Sequence, residues 1–378
     1  MARIVYGVAG EGFGHSSRSH VIGQHLLDAG HDVLFVASGR ALSYLRTHFG
    51  PRVKEILGLR LVYQDRTLSA ARTALANLRR FCGSGHINRT LYRSVLEPFE
   101  PDLVLSDFEP FSAWWAWRCG IPFISIDHQH LLSLCEIRHE PAHRLARFNA
   151  EIVTRCHYIG GAAYIILNFF RAPVRSDAAI VAPPVVRPLV QCQTPTQGDH
   201  VLVYTTDVSW KDRPLAALRA FPDEPFIVYG LDEDRRVGNC TLKKASTREF
   251  VKDLASSRGV IATAGFSLLS ECLFFRKRML LLPIRGQYEQ VINASYAQEL
   301  GLGLHRDRLD LPALSEFLTS IDAPIADHAD ILWPDNEAFL RILKRTIQTV
   351  SARFGLNGAR TAQERRRLAL GRSSLAVQ

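Results

Sequence analysis

Near the start of this chain a histidine stands directly behind closely spaced glycines. In "YGVAGEGFGHSSRSH", Gly7, Gly10, Gly12 and Gly14 precede His15. Imidazole exchanges protons near pH 7, so His15 is a candidate general base. Bare glycine backbone lets N–H groups approach a polar or anionic ligand, above all where a helix begins. Two phosphate-binding patterns do not fit. A P-loop needs a lysine after its last glycine, and none follows. The dinucleotide pattern Gly-x-Gly-x-x-Gly would place its third glycine at His15 or Ser17. Asp107 closes the apolar run "PDLVLSD" and is placed to orient an imidazole, as carboxylates do in acid–base pairs. Glu109 is a rival base. "ISIDHQH" carries Asp127, His128 and His130, which could bind an acceptor or replace His15. Farther on, "ATAGFSLLSECLFF" supplies Gly265, Phe266, Ser267 and Glu271, and "RGQYEQ" supplies Gln287 and Gln290.

These residues sit at the ends of elements that alternate. "ARIVYGVA" reads as a strand and residues 16–29 as a helix stopped by Gly30. "HDVLFVAS" is a strand, followed by a helix near 40–48 and a strand around "LRLVYQ". A basic helical stretch covers roughly 70–98. "PDLVLSD" and "IPFISID" flank the helix "PFSAWWAWRCG", which reads as sheet packing rather than as an aromatic stacking platform for a ligand. The continuous apolar runs predict a parallel sheet covered on both faces. "VVRPLVQCQTPTQGDH" (185–200) reads as a linker. The alternation then restarts with "HVLVYTT", "PFIVYGL", "GVIATAG" and "RMLLLPI". Helices are expected near 211–219, 247–256, 267–276 and 288–300. The expectation is an α/β protein of two Rossmann-like domains facing across a cleft. Residues 1–187 form the first domain, 188–199 the linker, 200–335 the second domain, and 336–378 a terminal helix and basic tail. In such sheets ligands bind beyond the C-terminal strand ends. Thr206, the last residue of "HVLVYTT", belongs to that set.

The stretch 262–303 resembles the donor-binding segment of GT-B glycosyltransferases, particularly the lipid II N-acetylglucosaminyltransferase group. The opening Gly-x-Gly-x-Gly-His resembles that group's acceptor-side loop, and uncharacterised bacterial and archaeal relatives share a GxGHxSR start. Ala264 stands where the family has the first of two glycines. Arg276-Lys277-Arg278 replaces its usual Gly-Lys-Pro turn. The resemblance implies a GT-B fold and inverting transfer of a sugar from a nucleotide-diphosphate donor to a hydroxyl acceptor. His15 would be the base and Asp107 its partner. Gly265, Phe266, Ser267, Glu271, Gln287, Gln290 and Thr206 would hold the donor, with Glu271 on the ribose hydroxyls. That role favours a UDP-sugar over a thymidine donor. Gly12, Gly14, Glu109 and His128 would line the acceptor side. The diphosphate would be met by a helix N-terminus and side chains, so no cofactor and no metal are expected, and "DED" (232–234) reads as a solvated loop.

Composition bounds the alternatives. The 378 residues are 47% hydrophobic and 22% charged, ordinary for a globular protein with a large core. No apolar run reaches the roughly 18–20 residues of a membrane span. Seven scattered cysteines without metal-ligand spacing read as reduced thiols in a cytoplasmic protein. The net charge is +9, and residues 40–93 carry 11 Arg/Lys against Glu55 and Asp65. That window suggests an anionic membrane surface or acceptor, with the enzyme peripheral on the inner face of the cell membrane. No nucleic-acid-binding signature accompanies it. Two rival functions remain: a nucleotide-sugar 2-epimerase of the same fold, which would need several cleft carboxylates, and a non-catalytic nucleotide-sugar-binding partner.

Overall fold

The computed structural model describes residues 1–10, 13–60, 63–64, 67–68, 70–139, 141–157, 160–205 and 213–356. Gly12, Thr206 and the basic tail after 356 lie outside the described residues. In the first half the strands are β1 (Arg3–Val8), β2 (Asp32–Ala37), β3 (Val53–Glu55), a hairpin of β4 (Tyr63–Gln64) and β5 (Thr67–Leu68), β6 (Leu103–Asp107), β7 (Phe123–Asp127), β8 (Ala163–Leu167) and β9 (Ala179–Ala182). Seven of them form one sheet in the order β3-β2-β1-β6-β7-β8-β9. Every pairing in it is parallel. The strand expected around "LRLVYQ" is displaced. The third strand of the sheet is Val53–Glu55, and Tyr63–Gln64 pairs only in the hairpin.

The second half provides β10 (Val201–Tyr204), β11 (Phe226–Tyr229), β12 (Arg235–Val237), β13 (Cys240–Lys243), β14 (Gly259–Ala262), β15 (Arg278–Leu281) and β16 (Gly303–His305). Their order is β12-β13-β11-β10-β14-β15-β16. Only β12 runs antiparallel, against β13. Both sheets are buried on two faces, which is why their strands read as unbroken apolar runs. Some helices begin and stop at local capping residues. Glu109 caps Pro110–Cys119, Ser246 caps Thr247–Ser256, and Gly120 ends its helix in the left-handed region at φ 68°.

Each sheet reverses its strand order at one place. Chain crossovers diverge between β1 and β6 in the first sheet and between β10 and β14 in the second. A crevice opens at such a switch point beyond the strand C-termini. Val8 and Asp107 are paired neighbours at the first, Tyr204 and Ala262 at the second. The glycine run and the Ala264–Ser267 turn therefore leave from the two crevices. One apolar core spans both halves, joining Ile4 and Phe35 to Leu269 and Ile292. The Asn336–Phe354 helix returns from the second half to pack on β8 and β9. Its Asn336 grips both backbone groups of Val186, at 2.9 and 2.8 Å.

Candidate active site

The Phe13–Asp28 helix starts within the glycine run, with Gly14 as its second residue, and carries His15 within its first turn. The His15 Nδ1 lies 2.7 Å from Asp107 Oδ1, across 92 residues of sequence. Asp107 is wholly buried and His15 keeps 15% side-chain exposure, so the ring faces the crevice while its partner does not. Phe108 stacks against the imidazole with centroids 6.2 Å apart. Arg18, one turn after His15, donates from Nε to Asp107 Oδ2 at 2.6 Å and from Nη2 to Oδ1. Ser19 Oγ donates to Asp107 Oδ2 at 3.2 Å. Burial alone would push the Asp107 carboxyl up, but the Arg18 guanidinium and His15 hold it below the usual carboxylate range.

The two crevices meet at this histidine. Gly14 lies against Ser267 so closely that a Cβ at Gly14 would collide with the serine hydroxyl. Bare backbone at position 14 is what lets the His15 turn reach the Phe266–Phe274 helix. Gly265, its N-cap, has no heavy atom within 4 Å of where a Cβ would stand, so the approach to the first turn is open. Amides of that turn lack helical partners and sit at the positive end of the helix dipole. An imidazole thus adjoins the open N-terminus of a helix.

Other predicted residues are held differently from the sequence expectation. Glu109 is a helix cap: its two oxygens accept the Phe111 and Ser112 amides at 3.1 and 2.7 Å, which occupies the carboxylate. It is buried against helix backbone and is a poor candidate for the base. His128 is a strut between the halves, not an open acceptor-side group. Its Nδ1 faces the Leu167 carbonyl at 2.7 Å, its Nε2 faces Asn293 Oδ1 at 2.8 Å, and Phe266 stacks on it at 4.0 Å. Phe266 is consequently buried packing rather than a surface for the nucleotide. Asp127 is bound to Ser125 and His130 in a buried cluster. Gln290 braces its own loop, accepting the Ile284 amide at 3.0 Å and donating to Gln287, which is the more accessible of the two.

Glu271 also has a partner. Arg187, at the domain crossing, donates from Nε and Nη2 to its two carboxylate oxygens at 2.7 and 2.9 Å. Burial pushes the Glu271 carboxyl up, and Arg187 only partly offsets this. Tyr44, from the first half, and Tyr204 are close enough to feel both charges. Among the described residues, no three His, Cys, Asp or Glu side chains gather where they could hold one ion. In "DED", Glu233 pairs with Arg235 while Asp232 and Asp234 are exposed.

Sequence reasoning missed Arg18 and Arg187. The i,i+3 spacing of His15 and Arg18 carried a usable signal, since such residues share a helix face. Nothing local marked Arg187.

A family model described as glycosyl transferase family 1 matches residues 2–322. An uncharacterised glycosyltransferase of Methanosarcina acetivorans is 25% identical over 327 residues, 80% of this chain and 84% of that protein. A second, from Methanosarcina mazei, is 26% identical over 329 residues, with the same shares covered. Among solved structures, the kitacinnamycin glycotransferase superposes with TM-score 0.61 at 15% identity, covering 92% of this chain and 95% of that one. MurG of Acinetobacter baumannii superposes with TM-score 0.55 at 14% identity, covering 92% and 99%. The fold is thus the GT-B arrangement of two Rossmann-like domains.

Proposed function

We propose, from the premise that this chain belongs to glycosyl transferase family 1, that it transfers a sugar with inversion from a nucleotide-diphosphate donor, preferably UDP-linked, to a hydroxyl acceptor. One observation carries the reading: the His15–Asp107 pair abuts the open N-terminus of the Phe266–Phe274 helix through the Gly14–Ser267 contact. In the reaction, Nδ1–H of His15 donates to Asp107 and Nε2 takes the proton of the acceptor hydroxyl. The acceptor oxygen forms a bond to the anomeric carbon as the bond from that carbon to the diphosphate breaks. Negative charge growing on the diphosphate meets the helix amides and dipole. Gln287, whose side-chain oxygen already accepts from Gln290, turns its amide to the sugar hydroxyls. Glu271 binds the ribose hydroxyls after Arg187 yields, and this contact supports a donor with both hydroxyls. Side chains and helix amides serve the diphosphate, so turnover is expected without a divalent cation.

The acceptor we favour is presented at an anionic membrane. No described helix is long and apolar enough to cross one. The basic 40–93 window is not a single face. Leu42 and Leu45 pack their helix with Phe35 on one side of the first sheet, whereas Leu91 and Leu96 pack with Val36 on the other. The better surface is formed by the neighbouring helices Pro110–Cys119 and Arg144–His157. There Trp117, Leu145 and Phe148 are 59%, 75% and 60% exposed. Arg118, Arg144 and Arg155 are exposed beside them. Apolar side chains with arginines around them suit the headgroup region of an anionic bilayer.

The test is a screen of UDP-, GDP- and dTDP-sugars by thermal shift, followed by turnover with hydroxyl acceptors. Release of nucleotide coupled to glycoside formation supports the reading. Donor isomerisation without an acceptor would make the protein an epimerase. Binding with no turnover in any combination would make it a sugar-nucleotide-binding partner.

A further inference from the structure

His15 Nδ1 has two neighbours that cannot both be satisfied. Asp107 Oδ1 lies 2.7 Å away and can only accept. Arg18 Nη2 lies 2.8 Å away and can only donate. If Nδ1 carries the proton it bonds Asp107, and its hydrogen confronts a guanidinium N–H. If Nδ1 is bare it bonds Arg18, the proton sits on Nε2, and the ring cannot act as a base. Arg18 is 5% exposed and spans both Asp107 oxygens, so it has no freedom to leave. Its guanidinium is the nearest cation to the ring.

We propose that Arg18 is a positioning residue for the transfer: it locks the Asp107 carboxylate in the plane that orients His15 and cancels that carboxylate's charge. This rests on His15 being the base. An unneutralised buried carboxylate 2.7 Å from an imidazole favours the imidazolium, which has no lone pair to receive a proton. With Arg18 in place, Asp107 keeps its hydrogen bond, which selects the Nδ1–H tautomer, but loses most of its pull on a second proton. The guanidinium also opposes the imidazolium directly. Orientation and charge stabilisation, which a simple His–Asp pair delivers together, are here separated.

The other groups around this cluster do not supply the same effect. Tyr6, on β1, bonds Ser19 and is pushed far up by burial, so it stays a neutral hydroxyl. Ser19, on His15's own helix, is neutral. Asp127, on β7, is the next carboxylate to feel Arg18, and His130 and Ser125 already engage it. Phe108 and, from the second domain, Ser267 complete the surroundings without charge.

The experiment is a titration of the ligand-free full chain labelled with 15N-histidine, from pH 5 to 9, following tautomer and protonation of each ring. His15→Gln identifies the His15 resonances by their loss. In Arg18→Gln the His15 midpoint should rise by about one pH unit or more, the scale set by one charge within ~4–6 Å. In Asp107→Asn the midpoint should fall and the Nδ1–H preference should weaken. Arg18→Lys keeps the charge without the two-pronged grip, so its midpoint should stay near wild type while the tautomer mixture broadens. The Arg18→Gln, Asp107→Asn double variant removes both charges together and tests the pair if the single variant does not fold: its midpoint should lie close to wild type. An unmoved midpoint in folded Arg18→Gln, or, where that variant does not fold, a double-variant midpoint that falls as far as in Asp107→Asn, would show that the arginine only holds the helix in place, and the inference would fail. Loss of transfer in His15→Ala together with either of those results sinks this inference alone. Retained transfer in His15→Ala sinks the assignment of the base and this inference with it.

Discussion

If Arg187 and a nucleotide ribose compete for Glu271, removing each side of the ion pair must change donor affinity in opposite directions. Glu271 is 6% exposed and holds Arg187 through two hydrogen bonds of 2.7 and 2.9 Å. Glu271→Ala deletes the carboxylate that would receive the ribose hydroxyls. Hydrogen bonds to a charged group contribute about 1.5–3 kcal/mol, so the UDP Kd should rise roughly 10- to 150-fold. Arg187→Ala leaves the carboxylate and removes its competitor. The Arg187 side chain is 18% exposed, so water already screens part of the pair and the cost of breaking it is modest. Relief of about 0.5–1.5 kcal/mol should tighten UDP roughly 2- to 10-fold. The same substitution leaves a buried carboxylate unpaired, so the ligand-free protein should lose at least that amount of stability, about 0.5–1.5 kcal/mol. Calorimetry with UDP measures the first two effects, and a denaturant titration without ligand measures the third. Weaker UDP binding in both variants would mean that Arg187 touches the nucleotide instead of competing with it. Unchanged affinity in folded Glu271→Ala would remove this carboxylate from the donor site.

His15→Ala should cut kcat by about 10²–10⁴ with donor affinity nearly intact, and Asp107→Asn should cost less; steady-state kinetics with calorimetry separates the two. Turnover should survive EDTA; loss restored by Mg²⁺ or Mn²⁺ would refute this and return attention to "DED". Co-sedimentation with anionic vesicles should fall as salt rises from about 0.05 to 0.5 M, and Trp117→Ala with Phe148→Ala should weaken it; equal binding to neutral vesicles, or none to either, would count against the membrane. Burial, with His48 beside it, pushes His20 down to about 4 from an ordinary 6.5. The unfolded chain therefore takes up this proton first: the stability is fully present above pH 6.5 and is lost as pH falls toward 4. The ring is partly exposed, so the loss attributable to it should be only about 1 kcal/mol; in urea titrations His20→Asn should lose about that much less stability than wild type between pH 7 and 4.5.

The sequence alone determined what local order can determine. Apolar runs without alternation announced two parallel sheets, and their last residues named the crevices where Asp107, Gly265 and the glycine run now lie. The helix breaks at Gly30, Gly120 and Gly301 were readable, because a left-handed stop needs no distant partner. Over 131–184 the reading assigned nothing, and the fold adds the Arg144–His157 helix, β8 and β9 there. That helix packs with small inward residues and leaves Leu145 and Phe148 exposed, so its apolar stripe points away from the core. Only the tertiary structure decided which polar side chains were free to act. Glu109 is the local exception, held by amides two and three residues along the chain in its own helix. Glu271 is paired with Arg187, 84 residues away, and His128 is held by Asn293, 165 residues away. A carboxylate or an imidazole looks equally available in a sequence whatever it meets in space. Its hydrogen-bond partners are fixed by how two sheets and their crossing helices pack, and residue spacing carries no trace of that.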